Sequence, residues 1–270
     1  MTSLTVSATP NYLAKLNPHK RDECITFEEG PHIYSINGDS NYMSVTTWNH
    51  SHFEHFDADA IITKMMSGKK WSESKYYGMS VEEIKASWEK NRDEAASAGT
   101  KMHYDIECYY NKIDVITDST WLQSYKEFAH FMKFVETFPH LKPYRTEWMV
   151  WHEELRFAGS IDMVYEKEDG TLMIYDWKRS KEIKKTPTWG KYAHTECINH
   201  LPDTNFWHYS LQLNTYKAIL EAKYGKKVTD LYLVCLYPDN PSYQLIKVPN
   251  LEAEIKSLFE LRRNQLSLTT

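Results

Sequence analysis

Two aspartates and a lysine stand where the chain is otherwise apolar. Asp162 lies in Gly159-Ser-Ile-Asp-Met-Val, and Asp176 and Lys178 lie in Ile174-Tyr-Asp-Trp-Lys-Arg. Both runs read as strands, in which residues two apart face the same side, so Asp176 and Lys178 project together. Acidic residues are depleted in strands and seldom buried without a partner. Such charges among Ile, Met, Val and Tyr call for a metal or a substrate. Their types suit phosphodiester hydrolysis. Carboxylates hold Mg2+ or Mn2+ through oxygen. One ion lowers the pKa of a bound water and offsets phosphate charge, and a second would stabilise the leaving oxygen. Lys178 is of a type that positions the nucleophile or stabilises a pentacovalent phosphorane.

The turn between the runs fixes their register. Taking Glu168, Asp169 and Gly170 as a three-residue hairpin loop, closed by a glycine with positive φ, pairs Lys167 with Thr171 and sets Asp162 opposite Asp176. Opposed residues share a face with Cβ atoms roughly 4.5–5.5 Å apart. Two carboxylates so close repel unless a cation or a proton intervenes. A two-residue loop would instead oppose Asp162 to Trp177, because a one-residue slip flips every side chain.

The remaining sequence must position these groups. A chain of 270 residues, 41% hydrophobic and 14% aromatic, can bury a sizeable core as one large domain or two small ones. No apolar run approaches the roughly 20 residues of a membrane span. The start, Met1-Thr-Ser-Leu-Thr-Val, lacks a basic segment and a long apolar one, so no signal peptide is expected. Cys24, Cys108, Cys197 and Cys235 are scattered, with no CxxC pair. Reduced thiols in an intracellular setting are expected. The net charge of −5 gives no global argument for nucleic-acid binding. Locally, Lys178, Arg179, Lys181, Lys184, Lys185 and Lys191 crowd behind the acidic pair. Alone they read as a solvated basic loop; beside a metal site they read as phosphate contacts.

The pattern predicts a loose arm over 1–20, a hairpin over Cys24–Thr47, and helical sequence over Asp57–Lys90 broken at Ser67-Gly and Gly78. Helices follow over Asp93–Tyr110 and Thr120–Phe138. Strands are expected near Tyr144–Trp151, Gly159–Glu166 and Leu172–Arg179, then a long loop over 180–205. A helix over Phe206–Lys223, strands near Val228–Tyr237 and Tyr243–Val248, and a helix over Leu251–Leu266 complete the chain. The fold class is α+β: a helical N-terminal region, then a central mixed β-sheet flanked by helices.

Other residues have spacings that invite chemistry. His103 and Glu107 are four apart and share a helix face, either as a surface pair or with His103 as a metal ligand. The small residues Ala95-Ala-Ser-Ala-Gly-Thr100 would let their helix approach the sheet. Gln212 and Tyr216 have the same spacing; Tyr216 is either core or, with Gln212 as a donor, near the phosphate path. His194, Cys197 and His200 suggest zinc, but a structural zinc normally takes four protein ligands. Glu147 is either a supporting carboxylate or a solvent-facing one. No Walker-type loop, GxSxG or HExxH occurs.

Gly159-Ser-Ile-Asp162 followed by Asp176-Trp-Lys178 resembles the PD-(D/E)xK nuclease superfamily. Gly-Thr-x-x-His103 before it and Gln212-x-x-x-Tyr216 after it make the chain similar to the RecB-type exonuclease branch. That branch includes the mitochondrial genome maintenance exonuclease and relatives in phages and large DNA viruses, so a viral or phage origin is an option. The resemblance spans roughly His103 to Tyr216, with a similar-looking upstream hairpin and Ser44-Val-Thr46. Ile161 stands where the superfamily name has proline. The resemblance implies a restriction-endonuclease-like fold, with residues 141–270 as nuclease core and 21–140 packing on it and supplying His103. It implies one or two Mg2+ or Mn2+ ions held by His103, Asp162, Asp176 and the Trp177 carbonyl, with Lys178 as catalytic lysine. Gln212 and Tyr216 would support or contact DNA, and Glu107, Arg179, Lys181, Lys184 and Lys185 are added as supporting or substrate-binding residues. Some relatives hold an iron–sulfur cluster by four cysteines; clustered C-terminal cysteines are lacking here, so none is expected.

The helical half could form an arch that admits a single strand, and Trp48, Tyr76, Tyr77, Trp88, Trp189 and Trp207 are candidates for base stacking or for core. The expectation is a monomeric, metal-dependent DNA exonuclease acting on single strands or ends, without a membrane partner. A silent nucleic-acid-binding module and a glycosidase using Asp162 and Asp176 are the competing readings. Intact Asp162, Asp176 and Lys178 argue against the first, and Lys178 has no place in the second.

Overall fold

A computed structural model describes residues 10–113, 115, 119–187 and 190–268. The elements in chain order are α1 (Tyr12–Leu16), β1 (Ile25–Glu28), β2 (Ile33–Ile36), β3 (Met43–Ser44), α2 (Val45–His50), α3 (Ala58–Met66), α4 (Val81–Tyr110), α5 (Ser119–Ser124), α6 (Lys126–Thr137), β4 (Lys142–His152), β5 (Phe157–Glu166), β6 (Leu172–Lys178), α7 (Asn205–Lys223), β7 (Val228–Cys235), β8 (Gln244–Lys247) and α8 (Glu252–Ser267). The architecture is the expected α+β one. A six-stranded mixed sheet runs β4-β5-β6-β7-β8 with the short β3 also on β5; β3–β5 and β6–β7 are parallel and the other pairs antiparallel.

Alternation along the strands feeds two cores. Leu172 and Ile174 pack toward α7 and α8 with Leu213, Leu220 and Leu258. Met173, Tyr175 and Trp177 pack on the other face with Met102 and Ile106 of α4 and Phe128, Phe131 and Phe134 of α6. The long α4 starts at a capping box, in which Ser80 Oγ accepts from Glu83 N–H and the Glu83 carboxylate accepts from Ser80 N–H. It ends where Asn111 takes over its last carbonyls.

One edge of β5 is interrupted. β4 lies along it from Phe157 to Glu166. On the opposite edge β6 covers Met163–Glu166, and β3 covers Phe157–Ala158. Among the described residues, Gly159–Asp162 have no strand neighbour there, which leaves a notch in the sheet.

Three expectations are corrected. The two helices expected around residues 90–93 are one continuous α4, since no glycine or proline interrupts it before Gly99. The single helix expected over Thr120–Phe138 divides at Tyr125, whose φ of −119° and ψ of 72° are not helical. Residues 10–20 are anchored rather than loose: Leu13 is buried, its N–H donates to Asn111 Oδ1, and Asn17 Nδ2 donates to the Tyr144 carbonyl. Residues 1–9 and Trp189 lie outside the described residues.

The β5–β6 turn takes the three-residue form. Lys167 N–H donates to Thr171 O and Gly170 N–H to Lys167 O, and Gly170 has φ 77°. A Cβ there would meet nothing within 4 Å. Gly170→Ala should therefore lose about 1 kcal/mol from backbone strain alone, read as a lower midpoint in guanidinium denaturation with an unchanged slope.

Candidate active site

The hairpin register carries three carboxylates to one place. Met163 pairs with Tyr175 at the last step of the β5–β6 ladder, so the next position opposes Asp162 to Asp176. The ladder opens there, and Trp177 N–H donates to Asp162 Oδ2 at 2.9 Å. On the β4 side, Thr146 pairs with Met163 and Trp148 with Ile161, which places Glu147 across from Asp162. Glu147 has φ 42° in the middle of a strand, a costly conformation for a non-glycine residue that tends to occur at functional sites. Its Oε2 accepts from Ser160 Oγ at 2.8 Å.

Two cations face this row. His103, reaching over from α4, puts Nδ1 3.5 Å from Asp162 Oδ2 and 3.7 Å from Glu147 Oε1, and Nε2 2.9 Å from the Trp177 carbonyl oxygen. Lys178 Nζ lies 2.7 Å from Asp176 Oδ2 and 4.4 Å from the centre of the Tyr209 ring on α7. Burial alone would lower the His103 pKa, but Asp162 and Glu147 outweigh it and bring it up to about 9. Asp176, 2% exposed, is pushed up to about 6 by burial and by Asp162, against the pull of Lys178. Asp162 is also raised, by burial first, with Glu147 adding to it and His103 opposing. Burial would lower Lys178, but Asp176 and Asp162 hold it above its usual value. Glu107, one turn beyond His103, is raised to about 7 by burial and by Glu147.

The wall opposite His103 comes from α7. Tyr216 lies so close to Gly159 that an added Cβ would stand 2.7 Å from the Tyr216 hydroxyl. Gln212 Nε2 donates to that hydroxyl and to Thr46 Oγ1, each at 3.4 Å. Sequence reasoning named Thr46 only within the Ser44-Val-Thr46 stretch, gave Ser160 no role, and passed over Tyr209 and Tyr34. Tyr209 sits three residues before Gln212, and Ser160 two before Asp162, so their spacing carried a signal. Tyr34, raised to about 12 by burial and by Glu147 and Asp162, had none.

Other sequence candidates lie apart from this cluster. Arg179 Nε donates to Glu127 Oε1 at 2.7 Å. Lys184 pairs with Glu182 at 3.5 Å, Lys191 pairs with Glu54, and Lys185 lies over the Phe206 ring. Lys181 is exposed. His194, Cys197 and His200 form no ligand cluster among the described residues; His200 instead meets Glu254. Trp48 is core, and Trp207 donates to the Lys185 carbonyl.

Two groups of side chains are spaced to hold a metal among the described residues. In His152, Glu153 and Glu154, Arg21 and Lys223 already neutralise the acids. His103, Glu147 and Asp162 offer ligand atoms within 4.8 Å of one another, and their mainly oxygen donor set fits a hard divalent cation. A family model of the PD-(D/E)XK nuclease superfamily matches residues 62–265. The chain belongs to that superfamily. PD-(D/E)XK nucleases use divalent metals, and the donor set here is of the kind they need. Two solved structures are similar. A candidate exonuclease from Eubacterium rectale shares 14% identity at a TM-score of 0.41, over 84% of this chain and 79% of that one. The protein SSO0001 shares 13% at a TM-score of 0.32, over 84% and 76%. No curated protein matches the chain.

The charge balance makes stability depend on pH. His103 titrates near 9 when folded, against 6.5 for the free side chain. The folded chain thus keeps a proton that the unfolded chain releases, and the resulting stability is full below about pH 6.5 and lost as pH rises through 9. With EDTA present, Tm should fall between pH 6.5 and 9, and His103→Ala should flatten that slope. Identical slopes in the two proteins would contradict the assignment.

Proposed function

We propose that the protein is a divalent-metal-dependent DNA exonuclease acting on single strands or strand ends. The observation that carries this reading is the meeting of His103, Glu147, Asp162 and the Asp176–Lys178 ion pair at the notch in the sheet. Residues 141–270 are read as the nuclease core, and 21–140 as the region that packs on it and supplies His103.

In this reading His103, Asp162, Asp176 and the Trp177 carbonyl hold Mg2+ or Mn2+, with Glu147 beside them. The bound cation would activate a water and offset charge on the scissile phosphate. Lys178 has a raised pKa, so it stays charged at neutral pH. Its role is then electrostatic, stabilising the phosphorane, rather than proton abstraction. Tyr209 and Asp176 hold the ammonium in place. Gln212 Nε2 is held between the Tyr216 hydroxyl and Thr46 Oγ1 at the wall of the site. The chemistry balances simply: a water oxygen bonds to phosphorus, the bond to the leaving oxygen breaks, and the water's proton passes to the leaving group through solvent.

Labelled single- and double-stranded DNA, with and without blocked ends, tests this reading. Degradation should require Mg2+ or Mn2+, stop with EDTA, and fall by at least about 100-fold in Lys178→Ala and Asp176→Asn, the scale of losing one transition-state charge contact. DNA binding should survive in both variants. Binding without cleavage in every metal would leave a silent binding module instead, and cleavage of circular DNA would overturn the exonuclease assignment.

A further inference from the structure

The last helix carries a charge where its sequence calls for an apolar residue. Ile255, Leu258 and Phe259 form the buried stripe of α8, and the helical spacing that joins them falls next on Arg262. Arg262 is half-buried there. Its guanidinium lies 5.3 Å from the centres of the Trp48 and Phe157 rings, and its Nε donates to the Leu155 carbonyl at 3.1 Å. The other arginines with buried or half-buried side chains, Arg21, Arg145, Arg156 and Arg179, each meet an acid. Among the described residues Arg262 meets none, and burial lowers its pKa with no carboxylate opposing it. A charge withdrawn from water without a partner is costly.

Arg262 lines a cavity of about 340 Å³ together with Arg156, Ser44, Thr47 and Asn41. Among the described residues no acidic side chain belongs to that lining. Arg156 is paired with Asp39, but both side chains are more than a third exposed; such a pair contributes little, and an anion can compete for the guanidinium. Ser44 Oγ accepts from the Thr47 N–H at 3.0 Å and donates to Thr47 Oγ1 at 2.8 Å, which leaves the Thr47 hydroxyl proton free to donate. The cavity adjoins the notch. Ser44 pairs with Ala158, and the notch opens at the next residue of β5, Gly159. From Ala158 to Asp162 is four strand residues, about 13 Å, so a phosphate at the carboxylates does not fill the cavity as well.

The geometry points to a second phosphate site in this cavity, where the two terminal nitrogens of Arg262 grip a phosphate group and Arg156 and the Thr47 hydroxyl complete the cradle. The phosphate belongs either to the strand bound in the notch or to a free nucleotide. The first source rests on the nuclease reading; the site itself does not.

Calorimetry on the full chain in EDTA, which withholds the metal that cleavage needs, tests the site with dTMP, thymidine and an octathymidylate. dTMP should bind, and thymidine, which lacks the phosphate, should not. Arg262→Gln should weaken dTMP binding about tenfold, the scale of one charge-assisted hydrogen bond. Asp39→Asn should strengthen it about threefold, because Arg156 is released from its carboxylate. Loss of the fold cannot produce that gain, and circular dichroism melts check the Arg262 variant. Competition between dTMP and the octathymidylate assigns the phosphate to the strand, and independent binding assigns it to a free nucleotide. No dTMP binding in the parent, or an affinity that either variant leaves unchanged, overturns the site and leaves Arg262 as a clamp on the Leu155 carbonyl. Metal-dependent DNA cleavage beside unchanged dTMP affinity sinks the site and leaves the nuclease reading intact. dTMP binding that follows both variants in a chain that cuts no DNA keeps the site and sinks that reading.

Discussion

Three carboxylates abreast in a half-buried sheet are the constraint on which the rest of this structure turns. Glu147, Asp162 and Asp176 come from adjacent strands, and among the described residues His103 and Lys178 face them with positive charge. The cluster is thus one negative charge in excess even with the imidazole protonated. Burial first, and then the neighbouring carboxylates, raise the pKa values of Asp162, Asp176 and nearby Glu107. A proton or a cation relieves the excess; the fold does not.

The backbone is arranged to create this crowding rather than to avoid it. The β4–β5 register slips between Pro143 and Arg145. Without the extra residue, Thr146 would share a face with Asp162 and Glu147 would point away. The slip brings Glu147 round, and its positive φ completes the turn toward His103. On the other edge, β3 and β6 stop short of each other, so Asp162 can take the Trp177 N–H on its side chain instead of losing it to a ladder. Gly159 then admits Tyr216 into the gap. These three departures from a regular sheet all fall close to Asp162.

How much of this was legible in the sequence follows from the range of the interactions. The β5–β6 pairing is local: one loop, with Gly170 in the conformation that its length requires, sets Asp162 against Asp176. His103 and Gln212 were found through helical spacing and family resemblance. The division of the helix at Tyr125 and the continuity of α4 were misjudged because apolar periodicity ignores single backbone breaks and tolerates a long exposed stretch. Glu147 stayed ambiguous for a different reason. Its facing depends on a register slip that no local residue type announces, and on a strained φ held by surrounding contacts. The basic run after Lys178 was overread: Arg179, Lys184 and Lys191 are answered by Glu127, Glu182 and Glu54, partners distant in sequence for the first and third.

The charge excess also orders the events of the proposed reaction. A phosphodiester brings its own negative charge to a cluster that is already negative, so the bare site repels the group it would have to hold. Lys178 does not cure this, because its ammonium is committed to Asp176 at 2.7 Å. A divalent cation held with His103 as a neutral ligand would cancel the excess and would compete with Lys178 for Asp176. The same event that makes the site attractive to phosphate would then loosen the lysine from its carboxylate and leave it able to meet the developing charge. On this argument the Asp176–Lys178 pair is a resting arrangement, and the surplus carboxylate is what makes cation binding come before the strand.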